Sequence, residues 1–204
     1  MSTDYRNREF ETNTSYTRMK AYVQSVYPHH VRDHARMILD DVKPGYRRYR
    51  YAAELTRYVY QNVEYSAEDK LWRGDYILDH TRKGDCEDQS VLLASLLSCR
   101  SFDVRFAVVR RKGDESGHVM LQVLFDNADL NELVREAEKF YRSGINRLHH
   151  IKKDDGNYWL NCDPVHSSIA GRVPQNFVAS VAKNGEITYK RDLLKDYLYP
   201  GETE

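Results

Sequence analysis

Cys86 lies in the run Lys83-Gly84-Asp85-Cys86-Glu87-Asp88-Gln89, directly ahead of the most apolar stretch of the chain. Gly84 permits a tight turn, Asp85 is a good helix N-cap, and Asp88 three residues on approximates a capping box. The spacing predicts Cys86 in the first turn of a helix, where unpaired N–H groups and the helix dipole favour an anion. The nucleophile of cysteine chemistry is the thiolate, so this placement favours reactivity. Glu87 and Asp88 push the other way by like-charge repulsion, which makes a neighbouring imidazolium matter. A buried structural cysteine accounts for this fragment equally well. His118 follows Ser116-Gly117 at the start of a predicted strand, and Asp163 follows Tyr158-Trp159-Leu160-Asn161-Cys162 at the end of another. Singly, His118 reads as an edge or core residue and Asp163, ahead of Pro164, as a turn residue. Together the three suit a nucleophile, its base and the group that orients that base. We expect Cys86 to pair as an ion with His118, and Asp163 to fix the tautomer of His118 and stabilise its charge. A zinc site on the same three side chains is a weaker alternative.

Helices and strands must bring these residues together. Residues 1 to about 14 are polar and read as an arm. Short helices are expected around Tyr16–Val26 and Val31–Asp41, with Pro28 between them and Pro44-Gly45 after. Tyr51, Leu55, Tyr58, Val59 and Asn62 form one stripe of a helix over Tyr49 to Asn62. Residues 63–85 read as a surface loop anchored by Tyr65, Leu71, Trp72 and Tyr76. Ser90-Val-Leu-Leu-Ala-Ser-Leu-Leu-Ser98 is apolar on most sides, so its helix should be buried nearly all round. Asp103 to Val109 and Val119 to Phe125 read as an antiparallel hairpin. A helix over Asp129 to Tyr141 follows, then a strand over Asn157 to Cys162, stopped at Asp163-Pro164. A last hairpin is expected around Asn184-Gly185 and a C-terminal helix from Arg191 to Leu198, ahead of a tail over 199–204. Helices, one buried helix, then mostly antiparallel strands argue for a single α+β domain over about residues 15–198.

The sequence resembles the transglutaminase-like superfamily, a branch of the papain-like cysteine fold. The resemblance covers about Arg57 to Pro174 and rests on four motifs. They are Tyr-Val-Tyr-Gln-Asn-Val-Glu-Tyr, Gly-Asp-Cys-Glu-Asp-Gln with its Leu-rich helix, Gly-His-Val-Met-Leu-Gln-Val, and Tyr-Trp-Leu-Asn-Cys-Asp-Pro-Val. It implies a buried helix, with the cysteine at its N-terminus, packed on an antiparallel sheet. It also implies Cys86 as nucleophile, His118 as general base and acid, and Asp163 as orienter. Asn127 to Gly156 departs from the compact members, inserting a charged helix and His149-His150. This insertion reads either as an exposed helix or as a wall or lid beside the cleft.

The reaction expected is attack of Cys86 on an amide, thioester or ester carbonyl, giving a thioacyl enzyme that water or an amine resolves. Hydrolysis of a peptide, isopeptide or side-chain amide is favoured. A cross-linking transglutaminase, or a silent module that binds a peptide or partner in the same cleft, is the alternative. The Cys86 N–H is the first oxyanion donor, and Trp72, Gln61 and Tyr65 are candidates for the second. Gln89 reads as helix packing or a cleft hydrogen bond, and His166 as a possible substrate contact. Cys162 and Cys99 read as core or helix-end residues, and three irregular cysteines make no disulfide framework. His29-His30 and His149-His150 lack metal-ligand spacing and read as solvated. No cofactor is called for. Lys plus Arg equals Asp plus Glu at 31 each, so no broad basic field invites nucleic acid despite Tyr46-Arg-Arg-Tyr-Arg-Tyr51. No apolar run is long enough to span a membrane, and the charged N-terminus lacks the apolar core of a secretory signal. A soluble, cytoplasmic protein is the expectation.

Overall fold

Residues Val91, Leu92, Leu93, Ala94, Leu96 and Leu97 leave a helix no polar side, and the fold is arranged around that fact. The computed structural model describes residues 21–188, apart from 23, 41, 43–47, 68–69, 112–116, 127, 143, 146–147, 149, 153–156, 173–176 and 184–185. The expected arm, Tyr16, Pro44-Gly45, His149, the Asn184-Gly185 turn, the helix over Arg191 to Leu198 and the tail lie outside the described residues. Helix α1 spans Arg32–Leu39, α2 Arg48–Asn62, α3 Cys86–Ser98 and α4 Leu130–Tyr141. All six of the apolar α3 side chains named above are fully buried. At roughly 1.5–3 kcal/mol for each large aliphatic side chain, α3 is held by on the order of 10 kcal/mol of apolar burial.

Two short strands, β1 (Glu64–Tyr65) and β2 (Lys83–Gly84), pair in parallel just ahead of α3. Six more make an antiparallel sheet: β3 (Val104–Arg111), β4 (Gly117–Phe125), β5 (His150–Lys152), β6 (Tyr158–Cys162), β7 (Phe177–Lys183) and β8 (Glu186–Thr188). Their order across the sheet is β5-β6-β4-β3-β7-β8. The expected hairpins and third strand are present, and β5 is an addition within the Asn127–Gly156 insertion. The sheet turns Val119, Leu121, Val123 and Phe125 of β4 toward α3, with Phe106, Leu160 and Cys162 beside them. Its other face buries Met120, Gln122, Trp159 and Asn161. There Gln122 Nε2 donates to Asn161 Oδ1 at 2.6 Å, and Arg105 lies 4.1 Å over the Trp159 ring. Burial on both faces explains why β4 reads as a nearly continuous apolar run.

Two sequence expectations need correction. The buried face of α2 is Tyr49, Ala52, Ala53, Leu55, Thr56 and Val59, whereas Tyr51 and Tyr58 are half-buried and Asn62 is exposed. Small alanines let α2 lie close to α3, and the tyrosines keep their polar tips at the edge, where Tyr58 accepts from Arg82 at 2.9 Å. Residues 63–85 are not a plain surface loop. A helical turn (Gly74–Tyr76) runs into a π-helical turn (Ile77–Thr81) that buries Ile77 and Leu78 fully. This apolar pair joins the expected anchors Leu71 and Trp72, which pack on the core, while Tyr65 and Tyr76 are exposed. His30, expected to be solvated, is exposed yet lies 3.1 Å from Asp75, which also pairs with Arg73. Among the described residues no helix is long and apolar enough to cross a membrane.

Candidate active site

The turn ahead of α3 is locked by two aspartate side chains. Asp85 Oδ1 accepts from the N–H groups of Glu87 at 2.8 Å and Asp88 at 3.1 Å, and Asp88 Oδ2 accepts from the Asp85 N–H at 3.2 Å. This is the capping box the sequence announced. Asp88 Oδ1 also accepts from the Trp72 N–H at 2.6 Å, which fastens residues 71–73 to the first turn of α3. Burial, then the charge of Asp85, push the Asp88 carboxyl up to about 8 against the pull of the Trp72 and Asp85 N–H groups. A Cβ at position 84 would fall 2.6 Å from Asp88 Cβ, so glycine is required where the carboxylate folds back. Gly84→Ala should lower stability by about 2 kcal/mol by opening the capping box, measured as a fall in the urea midpoint with an unchanged slope. Gln89 Nε2 donates to the Gly84 carbonyl at 3.1 Å, so this buried residue packs the turn.

Cys86 is the first residue of α3, as expected, and its sulfur lies beside the Val119 backbone of β4. Burial pushes the Cys86 thiol up to about 12; the Val119 N–H pulls it down, while Asp85, Glu87 and Asp163 raise it further. Three carboxylates and partial burial thus oppose the helix dipole at this thiol.

His118 stands second on β4, one residue before the strand's contact with the thiol. Leu121 of β4 pairs with Cys162 of β6, so Asp163 comes level with Met120 and two residues from His118 on the same side. The result is a bond of 2.8 Å between His118 Nε2 and Asp163 Oδ2. Asp163 is fully buried, and Oδ1 accepts from the Val165 N–H at 3.2 Å. Burial alone would raise its carboxyl, but the hydrogen bonds and charges of His118 and His166 hold it below the usual carboxylate range. His166 Nδ1 lies 3.0 Å from the same Oδ2, and this bond holds the His166 imidazole above its ordinary value.

The remaining candidates fall in different places. Tyr65 is largely exposed; its remaining desolvation, then the neighbouring Cys86 and Asp85, push its hydroxyl up. Trp72 is half-buried and stacks on Tyr76, with ring centroids 4.4 Å apart and planes 10° from parallel. Gln61 lies on the exposed last turn of α2, and among the described residues no contact links it to Cys86 or His118. Cys162 is fully buried in the core, and Cys99 caps the C-terminus of α3. In the insertion, α4 packs on α2 through Leu133 and Ala137. The Tyr141 hydroxyl at its end donates to the Ser168 carbonyl (3.0 Å) and accepts from the Ala170 N–H (2.9 Å). It thereby braces the segment that follows Asp163. The sequence reading missed the Asp88–Trp72 link and the sharing of Asp163 by two imidazoles. The three-residue spacing of Asp163 and His166 across a Pro-Val turn was the available signal for the latter.

The profile of the transglutaminase-like superfamily matches residues 35–164, more than half of the sequence, and the chain belongs to that superfamily. No curated protein matches the sequence significantly. Among solved structures it is similar to a candidate cysteine protease from Cytophaga hutchinsonii (16% identity, TM-score 0.45), over 84% of this chain and 53% of the other. It is also similar to a candidate protease from Parabacteroides distasonis ATCC 8503 (8% identity, TM-score 0.47), over 85% of this chain and 30% of that one. The chain thus spans about half the length of the first and under a third of the second.

Proposed function

We propose that this chain is a thiol-dependent acyl-transfer enzyme that hydrolyses peptide, isopeptide or side-chain amide bonds through Cys86, His118 and Asp163. The observation that carries this reading is the bond between His118 Nε2 and buried Asp163, a carboxylate whose charge also acts on the Cys86 thiol. With Nε2 turned to Asp163, proton exchange with the thiol runs through Nδ1. His118 removes the thiol proton as Sγ attacks the carbonyl carbon, and Asp163 stabilises the imidazolium so formed. The imidazolium then protonates the leaving amine as the tetrahedral intermediate collapses to a thioester. Water, deprotonated by His118, attacks that thioester, releasing the acid and returning the proton to the thiol.

The developing oxyanion sits at the head of α3. The Asp85 carboxylate occupies the N–H groups of Glu87 and Asp88, so the Cys86 N–H serves the oxyanion. Tyr65 is the second donor in this reading; β1, which carries it, pairs with β2 directly ahead of Asp85 and Cys86. Tyr65→Phe should lower kcat about 100-fold with KM little changed, as loss of an interaction made in the transition state requires. The overall reading is tested by intact-mass spectrometry after rapid acid quench with peptide and amide substrates. A thioacyl adduct that maps to Cys86 and is absent from Cys86→Ala is the expected result. Full turnover in Cys86→Ala would end the assignment.

A further inference from the structure

A cysteine, one imidazole and one carboxylate suffice for the chemistry above, yet Asp163 carries two imidazoles. His118 Nε2 and His166 Nδ1 meet the same oxygen at 2.8 and 3.0 Å, and all three donor atoms lie within 4.8 Å of one another. We propose that His118 Nε2, Asp163 Oδ2 and His166 Nδ1 form a binding site for a zinc-class divalent cation, and that its occupancy withdraws His118 and Asp163 from acyl transfer. The second clause rests on the function proposed above; the first stands without it.

The geometry is close to what such an ion needs. Zinc bonds of about 2.0–2.1 Å to nitrogen and oxygen space tetrahedral donors about 3.3 Å apart. The two oxygen–nitrogen edges need open by only a few tenths of an ångström, and a small turn of the two rings closes the nitrogen–nitrogen edge, which lies within 4.8 Å. The cation then replaces the protons now between oxygen and rings. The rings are 4.5 Å apart at 83°, so the two nitrogens approach from different directions. Asp163 is fully buried, and the Val165 N–H on Oδ1 keeps Oδ2 turned toward both rings. Such outer hydrogen bonds orient metal ligands in built sites. The His166 side chain is 45% exposed, which gives a path from solvent and leaves the fourth position to water. Two imidazole nitrogens with one carboxylate oxygen select zinc, cobalt or nickel over calcium or magnesium.

The test is titration of the metal-free full chain with zinc against a chromophoric chelator, alongside visible spectra with cobalt(II). One equivalent should bind, with tetrahedral cobalt bands and no sulfur-to-cobalt charge-transfer band, and excess calcium should not compete. His166→Ala should weaken zinc at least about 100-fold with an unchanged far-ultraviolet circular dichroism spectrum. His166→Cys should recover binding and add the sulfur band. Absence of stoichiometric binding, or wild-type affinity in His166→Ala, would overturn the site. A sulfur band in the wild-type protein would also overturn it, since Cys86 would then be a ligand. Zinc binding by a protein without acyl-transfer activity would remove the proposed function and leave the site standing. Full activity at saturating zinc would overturn the second clause.

Discussion

Replacing His118 by alanine should lower the acyl-transfer rate about 10^6-fold, the loss seen when a triad histidine is removed. The thiol itself sets this dependence. Burial and three carboxylates push it up, which disfavours a free thiolate. Attack is then expected to need a base, the role proposed for His118. The comparison of kcat/KM for wild type, His118→Ala and Cys86→Ala measures the effect. Alkylation gives an independent check: iodoacetamide should label Cys86 below pH 7 no faster than a model thiol. An acidic plateau in the labelling rate that disappears in His118→Ala would instead reveal a thiolate already paired with an imidazolium.

The second large effect concerns stability and comes from Asp88. Its carboxyl is raised to about 8 in the folded protein from an ordinary value near 3.8. The folded state therefore binds this proton more tightly than the unfolded chain. The stabilisation is complete below about pH 4 and is lost as pH rises through about 8. Wild-type stability should fall by on the order of 3 kcal/mol between about pH 5 and pH 8 from this group alone. Asp88→Asn removes that component. Urea unfolding of both proteins at the two pH values measures it, and parallel changes would show that Asp88 carries no proton in the folded state.

Much of the frame was legible because its signals are local and repeated. The apolar run in α3 exceeds what any exposed helix carries, and the Gly-Asp-Cys-Glu-Asp turn states its own capping chemistry. The strand pair β3–β4 and the strand before Asp163 were legible from Val- and Phe-rich runs bounded by turn residues. What failed was short or depended on packing. Ile77 and Leu78 are too few to set a period, so their π turn was hidden, and β5 is only three residues long. On α2 the tyrosines outweighed the alanines in the reading, although Ala52 and Ala53 are fully buried and Tyr51 and Tyr58 only half-buried. The upward push on the Cys86 thiol was illegible for a different reason: Asp85, Glu87 and Asp163 act on it from two distant parts of the chain. Asp163 and His118 were found from residue type and order, but the second imidazole on that carboxylate required the turn geometry.

Cys86 is carried on the segment with the deepest apolar anchorage, which has a consequence for native-state hydrogen exchange. Backbone amides of Val91 to Leu97 should exchange only through whole-molecule opening, whereas residues 70–76 should exchange through small local excursions. Sequence change is then best tolerated in the shallowly held stretches on either side of α3, because it leaves the seat of Cys86 intact.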